Sequence, residues 1–239
     1  MSIAQINAFL QATPIVLDLD GNGIHTLAAA NGVNFDLLGT GHASKVGWVS
    51  PTDGLLVMDR NHDGKINDGT ELFGVATLRP DGTRAGNGYA AMALEDSNHD
   101  GKLSAADASF KDLRVWVDAN HNGVSDAGEL KTLAELGIVS LDLHAQTGTA
   151  KDNGNLIGLV SSYTTTDGAQ HEMADVWFAR EAVSAAPKLS ELLAAPAGEV
   201  LPASLAAAPA TAPTAGPHEH AAVPHTPRGF GDSRPMPLI

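Results

Sequence analysis

One acidic, glycine-turned loop recurs along this chain, and it dictates where the backbone must bend sharply and where carboxylates must gather. Its fullest copy runs DSNHDGKLSAAD from Asp96 to Asp107. Oxygen side chains stand at loop positions 1, 3 and 5 (Asp96, Asn98, Asp100), Gly101 at position 6 permits the turn, and apolar Leu103 at position 8 anchors the loop. Asp107 closes it at position 12. Three further copies depart from this pattern in informative ways. Asp59, Asn61, Asp63, Gly64, Lys65 and Ile66 fit through position 8, but position 12 is Thr70 and the carboxylate arrives one residue late at Glu71. Asp118, Asn120, Asn122, Gly123 and Val124 place the apolar residue one position early and end on Glu129 at position 12. Asp18, Asp20, Asn22, Gly23 and Ile24 share the early apolar residue, but position 12 is Ala29, so a closing ligand must come from elsewhere. A fifth stretch, Asp36 to Gly41, lacks the position-3 oxygen and is assigned no ion.

A single Asp- and Asn-rich turn has a plain explanation, because these side chains bond their own backbone and tolerate left-handed conformations. Repetition argues for more. Each cluster gathers carboxylate and amide oxygens with no cation of the protein's own at the focus, and such a cluster repels itself until a hard cation fills it. The spacing is that of the EF-hand loop, in which the carbonyl of position 7 (Lys102, Lys65, Val124 or Ile24) also turns inward, and it predicts Ca2+. Asp at position 12, as in Asp107, reaches less far than Glu and predicts weaker binding. His62, His99 and His121 all fall at position 4, which points away from an ion, and are read as surface residues.

The chain has 239 residues, a formal net charge of −14 and a pI of about 4.9. With no compact Lys/Arg cluster, it predicts no nucleic-acid partner and no attraction to anionic membranes. No stretch has the uninterrupted apolar length of a transmembrane helix, so membrane insertion is not expected. Cysteine is absent, which excludes disulfides, thiolate metal sites and a cysteine nucleophile. The first residues lack the basic region and apolar run of a secretory signal peptide. Export, if it occurs, is therefore expected by a type I route that reads no N-terminal signal.

From Pro14 to Arg180 short β-like runs alternate with acidic loops and short helical stretches, and this segment is read as one domain after an N-terminal arm of residues 1–13. Strand character falls at Ile15–Leu17, Val46–Val49, Leu55–Met58, Leu113–Val117 and Ile138–Leu143. Leu156–Thr164 and Glu172–Phe178 predict a terminal β-hairpin around Thr166, Asp167 and Gly168. Helices are predicted at Tyr89–Glu95, Ala105–Lys111 and Gly128–Leu136, with Ser104 and Asp107 spaced as a capping box. The expected fold class is α+β, with short strands and short helices organised around EF-hand-like calcium loops. Residues 181–239 are Ala- and Pro-rich, a composition that predicts a disordered tail.

Five blocks carry a resemblance: PIVLDLDGNG (14–23), GWVSPTDGLLV (47–57), DGTELFG (68–74), LRVWVD (113–118) and LKTLAELGI (130–138). Together they resemble the self-processing module of FrpC-type repeat-in-toxin (RTX) proteins of bacteria, in matching order from Pro14 to Phe178. That resemblance implies a module folded by calcium and then cut at an Asp-Pro bond at its N-terminal edge. The aspartate carboxylate attacks its own main-chain carbonyl, and a lysine amine captures the cyclic anhydride as an isopeptide. Here Thr13 precedes Pro14, and no Asp-Pro dipeptide occurs in the chain. A threonine hydroxyl cannot form the anhydride and would need a base, for which His25 and His42 are the candidates at this end.

The reading is therefore a calcium-binding module of a secreted RTX-type protein that does not cut itself, with an extracellular protein or cell surface as its partner. The alternative is calcium-dependent cleavage before Pro14 with isopeptide formation. A calcium sensor would need a Met-rich groove, and the 5 Met are dispersed.

Overall fold

The computed structural model describes residues 12–181, and within them it is a mostly β protein: 39% strand against 6% helix. The strands are β1 (Ile15–Asp18), β2 (Thr26–Leu27), β3 (Val33–Phe35), β4 (Ser44–Val46), β5 (Trp48–Val49), β6 (Asp53–Met58) and β7 (Lys102–Ser104). Then come β8 (Leu113–Trp116), β9 (Leu130–Thr132), β10 (Ile138–Asp142), β11 (Gln146–Asp152), β12 (Asn155–Thr165) and β13 (Gln170–Trp177). Nine of them form one curled antiparallel sheet in the order β7-β10-β12-β13-β1-β6-β8-β9, with β11 paired to the first half of β12, Asn155 to Val160. Two small ladders, β2 with β5 and β3 with β4, stand apart from it.

Strands β1 and β6 are buried on both faces, which is why they read as continuous apolar runs rather than alternating ones. Val16, Leu55, Val57, Trp116, Ala174 and Val176 point to one core. Ile15, Leu17, Leu56, Val115 and Met173 point to the other. The first core holds an aromatic cluster in which the Trp48 ring lies 5.2 Å from Phe35, 5.5 Å from Trp116 and 5.8 Å from Phe178. Offset and edge-on rings at such spacing contribute beyond their buried area.

The α+β expectation with flanking helices is overturned. Of three predicted helices one forms, as the five-residue α1 (Gly88–Met92), capped by Asn87 accepting from the Ala90 N–H. Ala105–Lys111 does not become a helix, although its start signal is present: Asp107 Oδ2 accepts from the Ser104 N–H at 2.9 Å, and Ser104 Oγ accepts from the Ala106 N–H. The other Asp107 oxygen accepts from the Ser97 and Asn98 amides, so the carboxylate is committed to closing the loop behind it. The chain leaves through a 3-10 turn at Phe110–Asp112. Gly128–Leu136 yields β9 instead, because Leu130, Lys131 and Thr132 pair with Trp116, Val115 and Arg114 of β8. A stretch this short gains too little from helix formation to outbid a ready strand edge. The Asp96 loop is accordingly not the centre of a helix–loop–helix. The strand expectations fare better, including the terminal hairpin, which forms as β12 and β13 around Gly168 at φ +84°.

Ala12 and Thr13, assigned to the arm by sequence, are 1% and 2% exposed and lie in the core. The remainder of the arm and the Ala/Pro-rich segment expected to be disordered lie outside the described residues. Among the described residues no helix is long and apolar enough to cross a membrane.

Candidate metal centre

All four acidic loops fold onto one backbone template. The N–H of the position-6 glycine donates to the position-1 carboxylate in each: Gly23 to Asp18, Gly64 to Asp59, Gly101 to Asp96 and Gly123 to Asp118, at 2.8 to 3.0 Å. The position-5 N–H donates to the position-3 side chain, Asp20, Asn61, Asn98 or Asn120. Position 6 has φ between +71° and +93°, where glycine alone is unstrained, and position 4 is left-handed too: Gly21, His62 (φ 60°), His99 (58°) and His121 (55°). Three histidines in that region explain what position 4 is for. It is a turn residue, with His62 and His99 exposed and His121 half-buried.

The closing acids occupy equivalent places despite their irregular spacing. Asp107 accepts from the Ser97, Asn98 and Ser104 amides, which are positions 2, 3 and 9. Glu71, one residue late in sequence, accepts from the Arg60, Asn61 and Asn67 amides, the same three positions, its extra methylene and extra residue compensating each other. Glu129 accepts from the position-9 amide of Asp126. Asp126 was missed by sequence reasoning: its Oδ2 accepts from both Asn120 and Asn122 side-chain amides at 2.9 Å, which orients their carbonyl oxygens. The Asp59 and Asp118 loops are also tied to each other, Ile66 N–H donating to Ser125 Oγ. In the Asp118 loop the anchors reach into the aromatic core. Trp48 Nε1–H donates to Asp118 Oδ2 at 2.7 Å, and Trp116 Nε1–H donates to Glu129 Oε2 at 3.2 Å.

The Asp18 loop obtains the ligand its sequence lacks from the neighbouring strand. Asp53, first residue of β6, stands directly opposite Asp18, last residue of β1. Asp18, Asp20 and Asp53 each present a carboxylate oxygen within 4.8 Å of the others. Like charges directly across a ladder are destabilising, and Asp53 is fully buried with Oδ1 lacking any partner. Its Oδ2 accepts from the His25 N–H at 2.8 Å. Burial, then the Asp18 and Asp20 charges, push Asp53 up to about 6. A buried carboxyl with an unused oxygen beside two more carboxylates is the donor set a hard divalent cation satisfies, so the residues present fit calcium. Asp53 lay outside the strand expected at Leu55–Met58 and was not singled out by sequence. Its role required the β1–β6 register.

In the Asp36 stretch Asp36 Oδ2 accepts from the Thr40, Gly41 and His42 amides and Oδ1 from Leu38. Val124, expected as an apolar anchor, is 52% exposed, whereas Ile24 and Ile66 are buried.

Comparison with known proteins agrees with the blocks read from the sequence. The family described as the SPM domain matches residues 15–179. The iron-regulated protein FrpA of Neisseria meningitidis serogroup C is 49% identical over 171 residues, covering 70% of this chain and 15% of that protein. The chain thus spans a small part of that relative's length. Residues 15–179 are the segment that carries the loops, the curled sheet and the Asp18–Asp53 pairing, and by them the chain belongs to the SPM-domain family, an RTX-related self-processing domain of the FrpA and FrpC type.

Proposed function

We propose that this domain is a calcium-folded module of an exported RTX-type protein, with cations in the Asp96, Asp118, Asp59 and Asp18 loops completing its strand frame. The observation that carries the reading is the unpartnered, buried Asp53 oxygen facing Asp18 and Asp20 across the β1–β6 ladder. Without a cation three carboxylates crowd one point where β1 ends and β6 begins. With one, they become the link between its N-terminal strand and β6. The shared template of the other three loops supports the same chemistry.

The module does not cut itself before Pro14 in this reading. An aspartate carboxylate attacking its own carbonyl closes a five-membered anhydride, whereas the Thr13 hydroxyl would close a strained four-membered lactone. On this reading calcium binding is retained and the cut is silent at position 13. Calcium folding would suit a chain exported unfolded by a type I route and folded outside, where an extracellular protein or surface is its partner.

Circular dichroism and calorimetric titration test this together. With chelator the protein should melt far below the calcium-loaded form and its near-ultraviolet signal should weaken, and calcium should restore both with binding of several ions. A chelated protein melting within a few degrees of the calcium-loaded one would refute the reading.

A further inference from the structure

The Thr13–Pro14 bond is enclosed by the last strand of the module. Val176 N–H donates to the Pro14 carbonyl at 3.0 Å, and Asp175 stands opposite Ile15 in the β1–β13 ladder. Thr13, two residues before Ile15, shares its face of the strand. Asp175 is fully buried, and its Oδ2 accepts from the Gly88 N–H at 2.8 Å. Its Oδ1 and the buried Thr13 Oγ1 have no hydrogen-bond partner, yet the hydroxyl lies near enough to favour the ionised carboxylate. Glycines make the space: a Cβ on Gly74 would fall 1.5 Å from the Thr13 carbonyl oxygen, and one on Gly88 would fall 2.8 Å from Asp175 Oδ1. Sequence reasoning looked to His25 and His42 for a base near Thr13. The group placed there comes from the far end of the module.

We propose that Asp175 is the acid–base residue of this processing junction, delivering a proton to the Pro14 nitrogen when position 13 carries a carboxylate, and facing the Thr13 hydroxyl in this chain instead. This rests on the reading that the chain is a self-processing module silenced at Thr13. The atoms balance as follows. In Thr13→Asp the introduced carboxylate bonds to its own carbonyl carbon, the bond from that carbon to Pro14 N breaks, and the Asp175 proton passes to that nitrogen, which has none of its own and cannot leave well as an anion. Water then opens the anhydride and returns a proton to Asp175, so one peptide bond and one water are consumed. Burial pushes Asp175 up to about 7, which keeps a usable share protonated near neutrality. The other titratable group that senses it is Tyr89 on α1, raised above its ordinary value by its own burial and by the Asp175 charge, with its hydroxyl donating to the Met173 carbonyl.

The test compares Thr13→Asp with Thr13→Asp/Asp175→Asn in the full chain at millimolar calcium, read by intact mass. The first should release a fragment beginning at Pro14, with a rate that falls as pH rises through about 7. The second should be slower by roughly 100-fold or more, with circular dichroism and ion stoichiometry unchanged. Equal rates overturn the role of Asp175 and leave the processing reading standing. A folded, calcium-loaded Thr13→Asp that stays intact overturns both. Should that variant not fold, carboxyl carbon NMR decides the pairing: Thr13→Val should raise the Asp175 titration midpoint, and an unmoved midpoint refutes it.

Discussion

Replacing Asp53 by Asn should stabilise the chelated protein and destabilise the calcium-loaded one, an inversion that ordinary core damage does not produce. The folded-state carboxyl titrates at about 6 against an ordinary 3.8. The folded form therefore holds its proton more tightly, so this contribution to stability is fully present below about pH 4 and is lost as pH rises through 6. At pH 7.5 the ionised, unpaired group costs about 3 kcal/mol. Asn keeps an oxygen to accept from the His25 N–H and carries no charge, so the chelated mutant should melt roughly 6–12 °C higher, at 2–4 °C per kcal/mol for a domain of this size. Calcium reverses the order. A cation at a hundredfold its dissociation constant adds about 2.7 kcal/mol per site, and the mutant forfeits that gain at the Asp18 loop. Urea melts with chelator and with calcium, beside calorimetric ion counts, give all four states. A mutant that is less stable in chelator and binds as many ions as wild type would refute the argument.

Asp96→Ala and Asp118→Ala should each remove one ion in calorimetry, because the position-1 oxygen has no substitute in either loop, and unchanged stoichiometry in both would sink the loop assignments. Calcium should alter tryptophan emission, since Trp48 and Trp116 donate to Asp118 and Glu129. Glu129→Gln should blunt that response, and an undiminished one would separate the tryptophans from the site. The wild-type chain should remain at full mass after prolonged incubation in millimolar calcium, and a fragment starting at Pro14 would overturn the silent reading of Thr13. Stability in saturating calcium should decline as pH rises through about 7, where buried Asp175 loses its proton. Asp175→Asn should flatten that decline, and a parallel curve would place the titration elsewhere.

Local patterns were readable where the chain answers to itself, and hidden where it answers to a distant strand. The turn chemistry of the acidic loops is contained in six consecutive residues, so Gly64, Gly101 and Gly123 could be placed without knowing the fold. Strands β1, β6 and β8 announce themselves by apolar runs that both cores require. The failures share one physical origin. Leu130–Thr132 has a helical neighbourhood but β8 offers it a ladder, and Ala105–Lys111 begins with a capping signal whose carboxylate is already spent on the loop. Asp53 and Asp175 were invisible for the same reason. Each acquires its role from a residue across β1, and register is not written in spacing along one strand.

The position of β1 has a kinetic consequence. It sits mid-sheet, between β6 and β13, and Ile15 faces a residue 160 positions later. A chain appearing N-terminus first presents this strand long before its second partner exists, with an open edge and apolar side chains on both faces. Closing so large a loop is slow relative to making local contacts. Any fragment ending before β13 should therefore be a sticky, incomplete sheet rather than a smaller version of the domain. Maturation of the module is in this sense a single late event, gated by the arrival of its last strand.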